Sequence, residues 1–369
     1  MSHVSYEANR LLKAVREVGV WLDSGGVPLY SCRFSKRVFT QHQHVKCLVL
    51  KTVFRLRYRE LVELLEVSDK LVCEIGLTRI PHFTTLQKFA ARFPCRVLDK
   101  LITLIARQVC GDVFDVAIDS TGYSLDTSSF HYSKRIGREE RHRDYVKTTV
   151  AVDTKTLAVA AVKPRLKRRH DLIDAKPVLR KAAKAGRIQK VIADRGYDSE
   201  EFLEFITQEL QAKPVVALKY CDKPIEKTHG KLRKKLKQDF PEEDYPQRNM
   251  SETTNSTTKR RYSHTIRARK NHTQKIEVLL KYITHNLTLI IEILKDFYKA
   301  KTLINSLHIS IHNPCWACGL VGYDVAFTRR RSPVRIRSGP HPFLSSRRKK
   351  SVYGKERRDA IFGLPSLMA

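Results

Sequence analysis

The chain has 369 residues, of which 42% are hydrophobic and 29% charged, a globular composition with room for two domains and a sizeable core. Its charge is less ordinary: 70 Lys and Arg against 38 Asp and Glu leave a formal net charge of +32 at pH 7. That excess argues for a polyanionic partner, with nucleic acid the commonest, against the plainer reading of a basic solvated surface. From Met1 to about Cys110 the pattern is helical, with Val45, Leu48, Val49, Val53 and Leu56, then Leu61, Leu64 and Leu65, recurring every three or four residues. Short helices with Arg and Lys outward fit a helix-turn-helix, and compact packing without DNA contact fits equally well. A further helix is expected after Pro81, with Thr84 or Thr85 as its cap.

The character changes at Asp112. Val113 to Ile118 reads as a buried strand, and Lys147 to Val152 and Leu157 to Val162 read as two more. Asp153-Thr-Lys-Thr between the last two is turn chemistry and predicts an antiparallel hairpin. A helix over Leu172 to Ala185, a strand over Lys190 to Ala193, a helix over Ser199 to Leu210 and a strand over Val215 to Leu218 complete a mixed α/β sheet. Residues 219–250 read as a polar, Lys-rich connector. Two helices are expected beyond it, roughly Gln247 to Asn271 and Thr273 to Lys299.

The longest apolar run, Leu287 to Leu294, is broken by Thr288 and Glu292 and falls far short of the ~20 residues a bilayer span needs. The N-terminus lacks a signal layout, and eight scattered cysteines read as buried thiols of a reducing cytoplasm. A lone Cys315-Trp-Ala-Cys318, with His312 nearby, is a weak zinc signal.

Three carboxylates carry the chemistry. Asp119 is read as ending the first strand in Ile118-Asp-Ser-Thr-Gly122, and Asp194 as ending a later one in Ala193-Asp-Arg-Gly-Tyr-Asp198. Strand ends of an open sheet are where such folds place their sites, although Asp there is also a common cap or turn residue. A Gly three residues after Asp119 and another two after Asp194 leave room for a close approach. On a helix, Tyr245, Arg248, Glu252 and Lys259 fall at roughly 0°, −60°, −20° and −40°, a single narrow stripe. An ordinary salt bridge between Arg248 and Glu252 explains part of that stripe equally well.

The spacing Tyr-x2-Arg-x3-Glu-x6-Lys, met in full by these four residues, resembles the signature of DDE transposases of bacterial and archaeal insertion sequences. Asp119 and Asp194 look like the first and second catalytic carboxylates of that family, and Lys147 to Asp153 and His170-Asp171 are further local matches. The resemblance covers about 112 to 295. It implies a ribonuclease-H-like mixed sheet flanked by helices, with Asp119, Asp194 and Glu252 as catalytic, metal-holding residues. Oxygen-only ligands suit Mg²⁺ or Mn²⁺, and two ions about 3.5–4 Å apart are expected across the scissile phosphate. Arg248 and Lys259 would then neutralise phosphates, and Tyr245 would stack on a base or bind the backbone. The implied function is cleavage at the ends of the chain's own element and joining of the 3′-hydroxyls to target DNA. The partners expected are double-stranded terminal inverted repeats and target DNA, a second copy in a synaptic homodimer, and no membrane. The implied location is the nucleoid of a prokaryotic cytoplasm. A catalytically inactive DNA-binding descendant is the alternative. Asp194 and Glu252 are 58 residues apart, so the long β-strand insertion of some relatives is small or absent here, leaving hairpin formation at the element's ends open.

The expected organisation is a helical region over 1–110, a catalytic domain over 111–300 and a basic disordered tail over 301–369. From Arg329 to Lys350 the tail carries nine Lys and Arg and no acidic residue, too little apolar surface to offset chain entropy. A basic DNA arm is one account of it. The preferred account is different: Val334-Arg335-Ile336 translates GTT CGA ATC, the T-arm sequence of transfer RNA genes. The reading frame would then run past the element's own end into a neighbouring transfer RNA gene.

Overall fold

A computed structural model describes residues 9–126, 145–167, 169–219 and 224–306, with side chains to 292. Residues 9–110 fold into six helices, as their three- and four-residue periodicity predicts: α1 (Arg10–Ser24), α2 (Gln41–Val53), α3 (Tyr58–Glu66), α4 (Asp69–Ile75), α5 (Phe83–Arg92) and α6 (Cys95–Cys110). Thr40 starts α2 with a capping box, its hydroxyl accepting from the Gln43 amide while the Gln43 side chain accepts from the Thr40 amide. The cap of α5 differs from expectation. His82 occupies that place, and the Thr84 hydroxyl is paired with the His82 ring instead.

The sheet follows. Its strands are β1 (Val113–Leu125), β2 (Tyr145–Asp153), β3 (Val159–Arg165), β4 (Arg187–Ala193), β5 (Lys213–Val216) and the two-residue β6 (Thr265–Ile266). Their order is β3-β2-β1-β4-β5, with β6 pairing to the far end of β1. Neighbours β1, β2 and β3 are antiparallel, whereas β4, β5 and β6 run parallel to β1. This is the mixed, ribonuclease-H-like sheet. The β2–β3 hairpin turns where expected, because the Asp153 carboxylate gathers the Lys155 and Thr156 amides and the Thr156 hydroxyl.

Helices α7 (Leu172–Ala182), α8 (Glu200–Glu204, continued by a π-turn over Phe205–Glu209) and α9 (Lys231–Gln238) pack with α6 residues Ala106 and Cys110 on one sheet face. The other face joins α1, α2, α6 and the long α11 (Asn271–Ser306) in a single core containing Trp21, Val45, Leu98, Ile102, Val150 and Tyr282. Helical region and sheet therefore share apolar interior. A smaller core of Leu12, Leu50, Leu61, Leu65, Leu71 and Leu86 ties α1 to α5 together. Arg55, just after α2, donates to the carbonyls of Arg260 and Arg261, and Arg267 donates back to the Arg55 carbonyl.

Several elements depart from the sequence reading. Helix α9 lies inside the stretch read as a connector, because Leu232 and Leu236 give it an apolar edge that the lysines mask. Its first amides, of Leu232 and Arg233, are taken by the Glu200 carboxylate, an anion at a helix N-terminus. Gly230 at φ +98° leaves space that any side chain would contest with that carboxylate.

The helix expected over 247–271 is split. Helix α10 (Asn249–Tyr262) ends at Ser263, whose φ of +75° turns the chain into β6. The buried Lys281 holds that turn by donating to the Ser263 and Thr265 carbonyls at 2.7 Å each, and burial pulls its pKa down to about 8. Helix α11 also passes the expected end near 300 and runs to Ser306. The cysteines differ too: Cys47 and Cys110 are buried, Cys32 and Cys73 are exposed, and all four are free, as is Cys95. Residues 301–306 of the expected disordered tail are thus helical, and the rest of the tail with the Cys315/Cys318 pair lies outside the described residues.

Two buried histidines predict acid sensitivity. His44 stacks on Phe89 with ring centroids 4.6 Å apart, and His285 pairs with the Leu157 carbonyl at 3.0 Å. Burial lowers both pKa values from 6.5 to about 4. A lowered histidine pKa means the unfolded chain binds protons first. Stability from these two groups is therefore complete above pH 6.5 and drains away as pH falls toward 4. Each is worth on the order of 3 kcal/mol at pH 4. Denaturant unfolding of His44→Phe is expected to show a flatter loss between pH 6.5 and 4 than the parent chain. Parallel pH profiles would remove His44 from the account.

Candidate active site

Asp119 lies inside β1 and does not end it, contrary to the sequence reading. The antiparallel pairing with β2 carries β1 on to Ser124↔Tyr145, but the parallel pairing with β4 stops at Ala117↔Ile192. Asp119 therefore sits where β1 and β4 diverge, and Asp194 follows β4 directly. That splay is the crevice a parallel sheet opens at its strand ends. Asp194 also caps the short turn Arg195–Tyr197, with Oδ1 accepting from the Gly196 amide at 2.9 Å. The two glycines noted in the sequence make room for protein groups. A Cβ on Gly122 would meet the Tyr145 ring at 2.9 Å, and one on Gly196 would meet the Asp194 carboxylate at 3.0 Å.

Glu252 lies in the first turn of α10, which packs on β1 and β2. The charges of the other two acids reach Asp119. Burial is the main reason its pKa is raised. The charges of Asp194 and Glu252 push it further, against hydrogen bonds from the Ser120 amide and the Asn255 side chain. Lys259 stands near enough to feel the Asp119 charge and sits 5.5 Å over the Tyr123 ring. Arg248 holds Glu252 through an ion pair of 2.6 Å, the salt bridge that the sequence left open. Among the described residues, no group of three or more His, Cys, Asp or Glu side chains is placed to hold a metal ion. The chemistry of the donor types nonetheless suits one. Three carboxylates on neighbouring elements, one of them half-buried and pressed by the other two, gain from a hard divalent cation.

Tyr245 does not join the stripe. It begins a 3₁₀ turn, Tyr245–Arg248, and packs edge-on against Phe240 at 5.5 Å. Pro246 breaks the helical spacing there, and Asp244 ties the turn to Lys190 at 2.6 Å and Lys213 at 3.3 Å on β4 and β5. Asn255 is the residue the sequence reading missed. It lies seven positions after Arg248, within about 20° of it on the helix, and so belongs to the same face. Periodicity alone held that signal.

Beside Asp119 a cavity of about 600 Å³ is lined by Ser120, Ser124, Tyr145, Lys147, Lys259 and His264, among others. Lys147 is drawn toward Asp171, 2.6 Å away, in the turn before α7. Ser120 bonds Thr149 at 2.9 Å and the Tyr197 hydroxyl at 3.1 Å, fastening β1 to the turn that Asp194 starts.

Residues 115–287 match the family model described as the transposase DDE domain. Over this segment the chain is similar to transposase DDE domains. All three acids and both cations of the stripe fall inside it. Among solved structures, a piggyBac transposase synaptic complex with hairpin DNA is similar at 13% identity, with a TM-score of 0.38. The match covers 83% of this chain and 75% of that one. No curated protein matches the chain.

Proposed function

We propose that this chain is a DNA transposase that cuts at the ends of its own element and joins the freed 3′-hydroxyls to target DNA. The reading is supported by Asp119 and Asp194 at the splayed end of β1 and β4, with Glu252 on α10 near enough for its charge to reach Asp119 and with cations alongside. Asp119, Asp194 and Glu252 would hold two Mg²⁺ or Mn²⁺ ions. Such ions supply activation of the attacking oxygen and stabilisation of the leaving one.

The chain's own residues do the rest. Arg248 and Lys259 bind phosphates flanking the cut; burial lowers the Lys259 pKa, and an adjacent phosphate, like Asp119, favours its charged form. A phosphate that takes the Arg248 guanidinium also frees Glu252 from its ion pair. Tyr245, off the helix, reaches the strand from the side of the 3₁₀ turn. Two copies bring two ends together in a synaptic homodimer. A large positive charge favours the DNA partners by counterion release.

The Arg248–Glu252 ion pair also favours a second reading, a DNA-binding protein without catalysis. Incubating the protein with supercoiled plasmid bearing the element's terminal repeats separates the two. Strand cleavage in Mg²⁺ that stops with EDTA supports the transposase. End binding without cleavage in either Mg²⁺ or Mn²⁺ supports the second reading.

The cations predict a graded effect. Arg248→Ala and Lys259→Ala are each expected to weaken end binding and to flatten its salt dependence by about one phosphate contact. Binding isotherms across a salt series measure this, and an unchanged slope would return both residues to the solvated face.

A further inference from the structure

Asn255 lies one turn beyond Glu252 on α10 and is 4% exposed. Its amide makes two hydrogen bonds that join three elements. The Tyr282 hydroxyl of α11 donates to Asn255 Oδ1 at 2.9 Å, and Asn255 Nδ2 donates to Asp119 Oδ2 at 3.3 Å. Tyr282 is wholly buried, edge-on to Tyr123 at 6.3 Å, in the core shared by sheet and helices. A buried phenol must place its O–H on an acceptor, and the amide oxygen is that acceptor. This fixes the flip of the amide, so an N–H faces the carboxylate. The reverse flip would set oxygen against oxygen at Asp119 and strand the phenol proton.

We propose that Tyr282 and Asn255 form a positioning relay that orients the Asp119 carboxylate for a divalent cation and fixes its distance from the helix bearing Glu252. The relay rests on the reading of Asp119 as a metal-holding residue. A neutral donor suits this task better than Lys or Arg would. It orients the carboxylate while leaving its charge for the ion, as outer partners of metal ligands generally do. The placement agrees with it, because Asn255 shares its helix face with Arg248, Glu252 and Lys259, and Tyr282 stands on the rigid interior behind them.

The test is Mn²⁺ binding to the full chain without DNA, followed by the electron paramagnetic resonance signal of the free ion, with thermal unfolding alongside. Asn255→Ala is expected to weaken Mn²⁺ binding about 10- to 100-fold. Tyr282→Phe, nearly isosteric, is expected to weaken it less but by more than twofold, and it carries the test if Asn255→Ala fails to fold. Asp119→Ala is the control. If Asp119→Ala binds Mn²⁺ like the parent chain, the metal-holding reading itself fails. If Asp119→Ala loses binding but a folded Asn255→Ala or Tyr282→Phe retains the parent affinity, the relay is overturned and Asn255 merely joins two helices.

Discussion

Alanine at Asp119, Asp194 or Glu252 is expected to lower strand cleavage by about 10³-fold or more while leaving end binding within a few-fold of the parent chain. The size follows from the arrangement. Each acid comes from a different element, so none can replace another, and losing one removes several kcal/mol of stabilisation from the charged transition state. DNA affinity is carried by the cations, which these changes leave in place and, at Glu252, free from an ion pair. Gel assays of cleavage and of binding, run on the same preparations, separate the two effects. A stability readout adds a sign. Burial and two acidic neighbours raise the Asp119 pKa, so its ionised form is disfavoured in the fold. Stability from this group is present at low pH and is lost as pH rises through its raised pKa. Metal-free Asp119→Asn is therefore expected to unfold at a higher temperature than the parent at neutral pH, with the gap closing in acid. Neutralising a group that only supported the fold would lower that temperature.

Asp198, four residues after Asp194 in the same motif, is expected to behave in the opposite way. Its side chain is fully buried and accepts from Arg233 Nε at 2.7 Å, Arg233 Nη2 at 2.8 Å and the Lys219 amide at 2.9 Å. These bonds clamp α9 and the end of β5 onto the turn after β4. Asp198→Ala leaves the guanidinium partly solvated, so the expected loss is about 2–3 kcal/mol and not the full cost of a stranded buried charge. Chemical denaturation measures it. Cleavage per folded molecule, assayed at low temperature, is expected to persist. Loss of cleavage without loss of stability would move Asp198 into the catalytic group.

The contrast between those two aspartates shows what the sequence could and could not tell. Strand–Asp–Ser–Thr–Gly and Ala–Asp–Arg–Gly marked Asp119 and Asp194 because apolar runs end beside them, and such a run is a local property. The stripe of Arg248, Glu252 and Lys259 was legible for the same reason. Tyr245 was misplaced because Pro246 and the ion pairs of Asp244 bend the chain before α10, and those partners lie on β4 and β5, far away in sequence. The length of β1 was misjudged likewise, since Asp119 to Ser124 are held by pairing with β2 and not by their own apolar pattern. Asn255 escaped notice because its meaning depends on Tyr282, 27 residues later, and on Asp119, 136 residues earlier. The early end of α10 and the turn into β6 depend on a buried Lys281, which composition counts only as one more charge.

The claim that Asp119 holds a metal ion at the cut is tested most directly by Asp119→Cys. A thiolate is a poor ligand for Mg²⁺ and a better one for softer Mn²⁺. The variant is expected to leave plasmid ends uncut in Mg²⁺ and to regain cleavage in Mn²⁺, while Asp119→Ala stays inactive in both. Cleavage by Asp119→Cys in Mg²⁺ at the parent rate, or equal recovery of Asp119→Ala in Mn²⁺, would contradict it.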